Sequence, residues 1–219
     1  RNYFRRFTRT MLSTFASPNQ RHFDFARRVP HTPAGWLQRE EAIMGTVIKV
    51  ELWAEDRRGG EAAVAAVMDE MHRVDRAMSP HKATSELCRI NREAGRQPVA
   101  LSEEMYRLVD QAIGFSRLSN GAFDISYAAV GQLYDYRRRV RPTPSALAKA
   151  RTLVGWQKLQ LDPLGRTLRF AQDGMRIDLG GFAKGHAVDR AVALLSRRGI
   201  RHAMVSAGGD SRVLGDRRG

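Results

Sequence analysis

Several features that mark large classes of protein are scarce in this sequence. Only one of its 219 residues is a cysteine, Cys88, so no disulfide forms within the chain, and no C-x-x-C pair or His/Cys cluster indicates a zinc site. We expect Cys88 to be a small buried apolar residue. No stretch approaches the roughly 18 apolar residues that a transmembrane helix requires, and no internal repeat is visible. These absences exclude disulfide-rich and zinc-binding folds, and they leave an ordinary globular domain as the prediction.

Acidic residues are also scarce relative to basic ones. The chain has 23 Asp and Glu against 37 Lys and Arg, a formal net charge of +14, and all but five of its basic residues are arginine. This excess fits either a solvated basic surface or a patch that attracts anionic partners. Because the sequence has no zinc spacing, no basic recognition helix and no aromatic-studded basic strand, we expect no nucleic acid among the partners.

The first part of the chain lacks a steady apolar period. Residues 1–41 are rich in Arg, Pro, Ser and Asn, and they predict a disordered extension. Beyond them, residues 48–52 alternate as in a strand with one buried face, and residues 61–78 have a helical spacing that Pro80 ends. We therefore place the domain at residues 42–219.

The second half of the domain mixes short strands with helices. Ser102 and Thr143 are predicted N-caps of two helices, residues 156–181 indicate three short strands joined by turns, and residues 186–198 form an amphipathic helix that ends at Gly199. Because this order has no strict βαβ rhythm, it predicts an α+β fold with mixed or antiparallel sheets of short strands packed with helices. The last helix and the first long one have wide apolar faces, so we expect both to pack on the same sheet.

One lysine lies in the glycine-rich stretch that precedes the last helix. The segment Met175–Gly199 reads "MRIDLGGFAKGHAVDRAVALLSRRG", in which an apolar run enters a glycine turn that carries Lys184. Backbone N–H groups at a helix start can hold an anion, and a nearby lysine adds a charge that suits phosphate. The spacing is not that of a Walker A loop, because Lys184 precedes Gly185 and is followed by no Ser or Thr. The stretch therefore predicts an anion site unlike that of an ordinary P-loop ATPase.

Four ordered segments carry a resemblance to a known family. They are "IMGT" at Ile43–Thr46, "MSPHKATSELCRIN" at Met78–Asn91, "NGAFDIS" at Asn120–Ser126, and "DLGGFAKGHAVDRA" continuing to "VSAGGD" within Asp178–Asp210. In content, order and interval they resemble the ApbE-type FAD:protein FMN transferases, over about residues 40–219. A single glycine-rich segment would be a weak signal, whereas the ordered set is specific.

The resemblance implies a site for FAD. It implies that Met44 lies beside the bound FAD, that the segment Ala122-Phe123-Asp124 runs along the flavin nucleotide, and that Asp178 and Lys184 make polar contacts with the nucleotide. Relatives often have a tyrosine where this chain has His81, whose imidazole can still stack. The family's substrate contains a pyrophosphate, which agrees with the anion site predicted around Lys184.

The resemblance also implies a magnesium ion and a longer chain. The backbone carbonyl of Gly181 is the implied Mg2+ ligand, since a carbonyl is a hard oxygen donor and glycine permits close approach. The family continues into a His-containing segment and a D-x-x-x-T metal motif, whereas this sequence stops at "VLGDRRG". Residues 42–219 are therefore expected to be the N-terminal part of such a domain, with the catalytic residues beyond Gly219.

Simpler interpretations of the same residues remain open. Met44 and Phe123 are residue types that usually belong to a core, Asp124 can be a turn former, and Gly208-Gly209 can be a tight turn. Asp178 is the most informative position, because a carboxylate at the end of an apolar segment is costly unless it is exposed or paired.

The implied activity is Mg2+-dependent transfer of the FMN part of FAD to a Thr or Ser hydroxyl of a target flavoprotein, with release of AMP. One alternative is an FAD pyrophosphatase that gives FMN and AMP, and another is a non-enzymatic basic binding module. Relatives commonly act on membrane-associated redox complex subunits, which implies a periplasmic or inner-membrane location, although the sequence shows no clear signal peptide.

Overall fold

The computed structural model describes residues 34–135 and 138–216 of the chain. Within these ranges every strand pair is antiparallel; the first two strands have nine residues each, and the others have two to five. Helices lie between them without forming βαβ units, and this confirms the predicted α+β class. In chain order the strands are β1 (Gly35–Ile43), β2 (Thr46–Ala54), β3 (Val99–Ala100), β4 (Leu159–Asp162), β5 (Thr167–Phe170), β6 (Ala203–Ala207) and β7 (Asp210–Leu214).

Most of the helices begin at a side chain that caps them. Ser102 and Thr143 each accept a hydrogen bond from the backbone N–H three residues later, which confirms both predicted N-caps. No helix in the described ranges is long and apolar enough to cross a bilayer. The α-helices are α1 (Arg57–Met78), α2 (Glu86–Glu93), α3 (Glu103–Leu118), α4 (Ala128–Gly131), α5 (Pro144–Arg151) and α6 (Gly180–Arg197), and two 3-10 turns lie at Ile125–Tyr127 and Trp156–Lys158.

Two sheets organise the domain. The larger has the order β1-β2-β6-β7, and the smaller has the order β3-β5-β4. The chain enters the larger sheet through a hairpin in which Ile43 pairs with Thr46, so that Met44 and Gly45 alone form the turn. The predicted turn at the end of α6 is also present, because Gly199 has φ +79° and follows the last helical turn.

The core lies between the larger sheet and the two long helices. Ile48, Val50 and Leu52 project from β2 with no exposed surface, and Met71 of α1 and Leu195 of α6 are equally buried. Helices α1 and α6 contact each other and the strands of this sheet. The prediction that both helices pack on one sheet is therefore confirmed.

Three predictions about the domain start and the secondary structure are wrong. The domain does not begin at residue 42, because β1 starts at Gly35; its polar sequence hides a strand whose partner is the main chain of β2. The rest of the predicted extension, residues 1–33, lies outside the described residues. Residues 175–179 are not a third strand, since they pair with no sheet. Helix α6 begins at Gly180 rather than at residue 186, so its glycines are helical and not a loop.

Candidate functional site

Three neighbouring cavities open around Asp178, which lines all of them. We name the first the methionine cavity, because Met44 and Met78 line it together with His81 and Lys184. Its volume is about 480 Å³. Two of its walls come from the segments "IMGT" and "MSPHK", which are far apart in the sequence, so the fold brings these predicted residues together.

The second, the tyrosine cavity, has the more polar wall. It is lined by His81, Tyr127, Gln132, Tyr134 and Arg176, and its volume is about 420 Å³. His81 thus borders two cavities, and its side chain is exposed. Aromatic rings, an amide and a guanidinium can together hold a flat base and an attached anion.

The third, the phenylalanine cavity, is mostly apolar. Ala122, Phe123, Asp124, Gly181 and Phe182 line its volume of about 360 Å³. The rings of Phe123 and Phe182 lie 5.9 Å apart, a spacing at which aromatic side chains attract each other. The predicted Ala122-Phe123-Asp124 segment is therefore a cavity wall that faces α6.

The backbone that carries Asp178 is held in an extended form by side-chain and main-chain hydrogen bonds. The amide of Asn91 donates to the carbonyl of Ile177 at 3.0 Å and accepts from its N–H at 2.8 Å. The N–H of Asp178 donates to the carbonyl of Ile125 at 2.9 Å. These bonds substitute for a neighbouring strand, which explains why the apolar pattern of residues 175–179 resembles a strand although no sheet includes it.

Asp178 uses one of its oxygens to start α6. Its Oδ1 accepts a hydrogen bond of 2.5 Å from the N–H of Gly180, which satisfies one of the free donors of the first helical turn. No residue in the described ranges donates to Oδ2. The carboxylate is half-buried, so its second oxygen is available to a molecule in the cavities.

Lys184 lies in the second turn of α6 and points back toward its start. Its Nζ donates to the carbonyl of Gly180 at 2.8 Å. A side chain at Gly208 would lie 3.4 Å from the Lys184 Cδ and 2.9 Å from the Thr46 Oγ1, and Gly208 has φ +66°. Glycine at this position therefore permits the "AGGD" turn to approach both Lys184 and Thr46.

Met44 occupies an unfavourable backbone conformation. Its φ is +55°, and Gly45 follows with φ +71°. Two positive φ values characterise a type I′ hairpin turn, for which Asn-Gly is the preferred pair. A methionine in this region costs about 1–3 kcal/mol and is most common where a binding site requires it. Met44 is thus part of a strained turn between two strands.

Asp124 has a structural role in the wall that it lines. Its Oδ1 accepts from the N–H and the hydroxyl of Ser126 at 2.8 and 2.6 Å, and its Oδ2 accepts from the N–H of Trp156 at 2.9 Å. The hydroxyl of Ser126 also accepts from the N–H of Gly155 at 2.8 Å. The simpler interpretation of Asp124 as a turn former therefore holds, and these bonds fix the wall beside Phe123.

Gly181 lines the phenylalanine cavity, but it does not complete a metal site. It is the second residue of α6. In the part of the chain that the structure describes, no three His, Cys, Asp or Glu side chains come together in a way that could hold a metal. Mg2+ requires about six oxygen ligands. The residues present therefore do not fit a complete magnesium site, and Gly181 stays a predicted ligand.

An ion-pair network joins helices α1, α3 and α6, of which α1 and α6 also contribute residues to the methionine cavity. Arg73 of α1 donates to both oxygens of Glu104 at 2.7 Å, and His186 of α6 bonds to the same carboxylate at 2.7 Å. Partial burial opposes ionisation of Glu104, but these hydrogen bonds outweigh it and lower its pKa to about 2. Arg73 also donates to Glu70 and, chiefly by that bond, lowers the pKa of Glu70. The network fixes α1, α3 and α6 relative to one another.

The sequence prediction missed several residues of the site. Arg176 and Tyr127 line the tyrosine cavity, and Asn91 and Ser126 hold the walls. Arg176 had a visible signal, because it alternates with buried neighbours in "MRIDL" as Asp178 does. The clamp by Asn91 had no such signal, since a side-chain amide that replaces a strand leaves no periodic pattern.

A larger cavity of the described residues lies elsewhere. Its volume is about 610 Å³, and it lies between Trp53, Gly59 and Arg198, at the opposite ends of α1 and α6. None of the predicted site residues lines it. We therefore take the three cavities around Asp178 as the candidate site.

Comparison with known proteins identifies the family of the chain. The model of the ApbE family matches residues 44–219, which contain the lining of the three cavities and, apart from Ile43, all four sequence segments. The chain belongs to the ApbE family. The FAD:protein FMN transferase of Treponema pallidum is 31% identical over 186 residues, covering 81% of this chain and 51% of that protein. A second FAD:protein FMN transferase, from Klebsiella pneumoniae, is 28% identical over 176 residues, covering 80% of this chain and 54% of that protein.

Solved structures of ApbE proteins have the same fold. The flavin transferase ApbE from Vibrio cholerae superposes with a TM-score of 0.77 at 27% identity, covering 85% of this chain and 61% of that one. The ApbE protein from Thermotoga maritima gives a TM-score of 0.77 at 25% identity, covering 84% and 60%. The chain spans about half the length of the curated ApbE relatives it matches.

Proposed function

We propose that this ApbE-family chain binds FAD in the three cavities around Asp178 and transfers the FMN part to a Thr or Ser hydroxyl of a target flavoprotein, releasing AMP. The observation that carries the proposal is that residues from separate sequence segments converge on neighbouring cavities. Met44, His81, Phe123 and Lys184 come from separate segments, and all line cavities that share Asp178. Relatives that match the same segments are named FAD:protein FMN transferases.

The chemistry of the walls suits the parts of a dinucleotide. The phenylalanine cavity offers apolar and aromatic surface for a flavin ring. Lys184 offers a positive charge for phosphate, and Asp178 offers a carboxylate oxygen to hydroxyl groups of the ligand. FAD has a flat ring system at each end and two phosphates between them. Such an extended molecule can therefore occupy neighbouring cavities, whereas one cavity alone could not accommodate it.

The reaction is a displacement at phosphorus. The acceptor hydroxyl oxygen forms a bond to the phosphorus of the FMN part, the bond from that phosphorus to the bridging oxygen breaks, and AMP leaves with that oxygen. The hydroxyl proton passes to a base that the described residues do not assign. In such reactions the protein mainly positions the reacting groups and neutralises charge on the phosphate oxygens. Lys184 and the held segment around Asp178 serve these two purposes.

The magnesium requirement, the acceptor and the location belong to the proposal as well. A divalent ion would neutralise phosphate charge during the transfer, and Gly181 would contribute its carbonyl as one ligand. The acceptor would be a subunit of a membrane-associated redox complex, in the periplasm or at the inner membrane. These points rest on the family resemblance, and the displacement at phosphorus is independent of them.

Replacement of Lys184 by methionine tests the proposal. The full protein is incubated with FAD, Mg2+ and a threonine-bearing acceptor, and covalent flavin fluorescence on the denatured acceptor is measured together with AMP. Loss of one charge-assisted contact, about 1.5–3 kcal/mol, predicts a ten- to hundredfold slower transfer for Lys184→Met. Lys149→Met, on an exposed face of α5, is the matched control and should transfer at the original rate.

The same assay separates the alternatives. Release of both FMN and AMP without a labelled acceptor would identify a pyrophosphatase, in which water takes the place of the hydroxyl. Equal rates for Lys184→Met and Lys149→Met would contradict the role of Lys184.

A further inference from the structure

We propose that Asn91 is a positioning residue that holds the Asp178 carboxylate in place for FAD and acts on FAD binding only through that carboxylate. Asn91 lies in the last turn of α2, and it is not among the residues that the family resemblance implies as FAD contacts. Its role rests on the proposed function, in which the free oxygen of Asp178 contacts hydroxyl groups of the ligand.

Asn91 satisfies both backbone groups of Ile177. Its amide nitrogen donates to the Ile177 carbonyl at 3.0 Å, and its amide oxygen accepts from the Ile177 N–H at 2.8 Å. A side-chain amide offers a donor and an acceptor side by side, as a neighbouring strand would. Ile177 is only 1% exposed, so water does not readily replace these two bonds when they are lost.

The position of Asp178 depends on the peptide that precedes it. Ile177 and Asp178 are adjacent in an extended segment, so any rotation of the Ile177 peptide displaces the Asp178 carboxylate. Two other contacts of Asp178 do not involve Asn91: its N–H donates to the carbonyl of Ile125 at 2.9 Å, and its Oδ1 accepts from the N–H of Gly180 at 2.5 Å. Loss of Asn91 should therefore shift the carboxylate without releasing the segment from the fold.

The other end of α2 is bonded to a different wall of the site. Ser85, the N-cap of this eight-residue helix, donates from its hydroxyl to the carbonyl of Ser79 at 2.7 Å. Ser79 lines the methionine cavity, as Asp178 does. The helix thus connects two walls of one cavity, and Asn91 makes the connection on the side of Asp178. The separation of the two walls therefore depends on Asn91.

A direct contact between Asn91 and the ligand is the competing explanation. Asn91 itself lines the tyrosine cavity, and one N–H of its amide is not used by the bonds to Ile177. The two explanations differ in how Asn91 and Asp178 are coupled. A residue that acts through another loses its effect once the other is replaced, whereas independent contacts add.

Calorimetric titration of the full protein with FAD, in a double-mutant cycle, tests the inference. Asp178→Asn keeps an oxygen for the N–H of Gly180 but replaces the free carboxylate oxygen, and its FAD affinity should fall about ten- to hundredfold. Asn91→Ala should lower the affinity about tenfold by itself, but less than about twofold further when Asp178→Asn is already present. Gln97→Ala removes an exposed amide just after α2 and should bind FAD as the unaltered protein does.

Melting of the same variants separates positioning from folding. Asn91→Ala should lower the melting temperature by a few degrees with or without Asp178→Asn, because the same bonds to Ile177 are lost. Asn91→Ser, a smaller change, replaces Asn91→Ala in the cycle if that variant does not fold.

The outcomes distinguish this inference from the proposed function. An unchanged FAD affinity in Asn91→Ala or in Asp178→Asn would overturn the role of Asn91, and so would a tenfold loss that persists when Asp178→Asn is present. Each of these results leaves the proposed function standing, provided that the unaltered protein binds FAD. If the unaltered protein does not bind FAD, the proposed function itself fails, and the role of Asn91 with it.

Discussion

The two ends of helix α6 differ in what they contribute. From Ala187 to Leu195 the helix presents a buried face to the sheet and to α1. Its first two turns, by contrast, contain the exposed Gly181 and the half-buried Lys184, and they border two cavities. One end thus stabilises the fold, and the other lines the cavities of the candidate site. Substitutions along a single helix should therefore separate stability from binding.

The core end should show the largest effect. Leu195 has no exposed surface, so Leu195→Asp places an unpaired charge among apolar side chains and should lower the free energy of unfolding by roughly 3–5 kcal/mol. Ala193 is exposed on the same helix, so Ala193→Asp should lower the free energy of unfolding by less than about 1 kcal/mol, mainly through helix propensity. Urea unfolding of both variants measures the difference, and similar midpoints would show that the helix is not packed as described.

The ion-pair network around Glu104 should have a smaller, pH-dependent effect on the free energy of unfolding. The folded-state pKa of Glu104 is lowered from 4.5 to about 2, so its contribution is present above pH 4.5 and is lost as the pH falls toward 2. Because solvent screens this partly exposed group, we expect only about 1 kcal/mol at neutral pH. The groups that face it are Arg73, His186 and Arg190.

Unfolding of Glu104→Gln across pH 2–7 tests this contribution. The stability difference from the unaltered protein should shrink steadily below pH 4.5. Glu103→Gln alters an exposed neighbour that pairs with Arg107 and should show almost no difference at any pH. A constant difference for Glu104→Gln would mean that its ionisation does not stabilise the fold.

The smallest effect on stability is expected at the strained hairpin turn of Met44 and Gly45, which lines the methionine cavity together with the start of α6. Met44→Asn gives the preferred Asn-Gly pair for two positive φ values, so the variant should be about 0.5–1 kcal/mol more stable. It should nevertheless bind FAD more weakly, because the thioether wall of the methionine cavity is lost. Melting and titration on the same sample test both parts, and a variant that melts lower would refute the strain at Met44.

The comparison of the two ends also explains what the sequence could predict. Helical periodicity and caps determine the core end, and the packing of α1 and α6 on one sheet was predictable for that reason. The start of α6 was not, because Gly180-Gly181 has the composition of a loop, and the hydrogen bond from Gly180 to Asp178 at the start of the helix leaves no periodic pattern.

The site was predicted residue by residue only through the family resemblance. Met44, His81, Lys184 and Asp178 line one cavity, and their contacts with FAD stay a prediction. Side-chain hydrogen bonds across the chain, such as that of Asn91 to Ile177, join residues 86 positions apart and leave no local pattern. Arg176 was missed for a different reason: it alternates with buried neighbours in "MRIDL", but an arginine in a basic chain is common and drew no attention.

The central claim is that the cavities around Asp178 form one site for a dinucleotide, and titration of the full protein with FAD and with FMN tests it most directly. If both halves of the substrate are bound, FAD should bind at least about tenfold more tightly than FMN, the equivalent of one additional charge-assisted contact, and AMP should compete with FAD. Equal affinities for FAD and FMN, with no competition by AMP, would contradict the account.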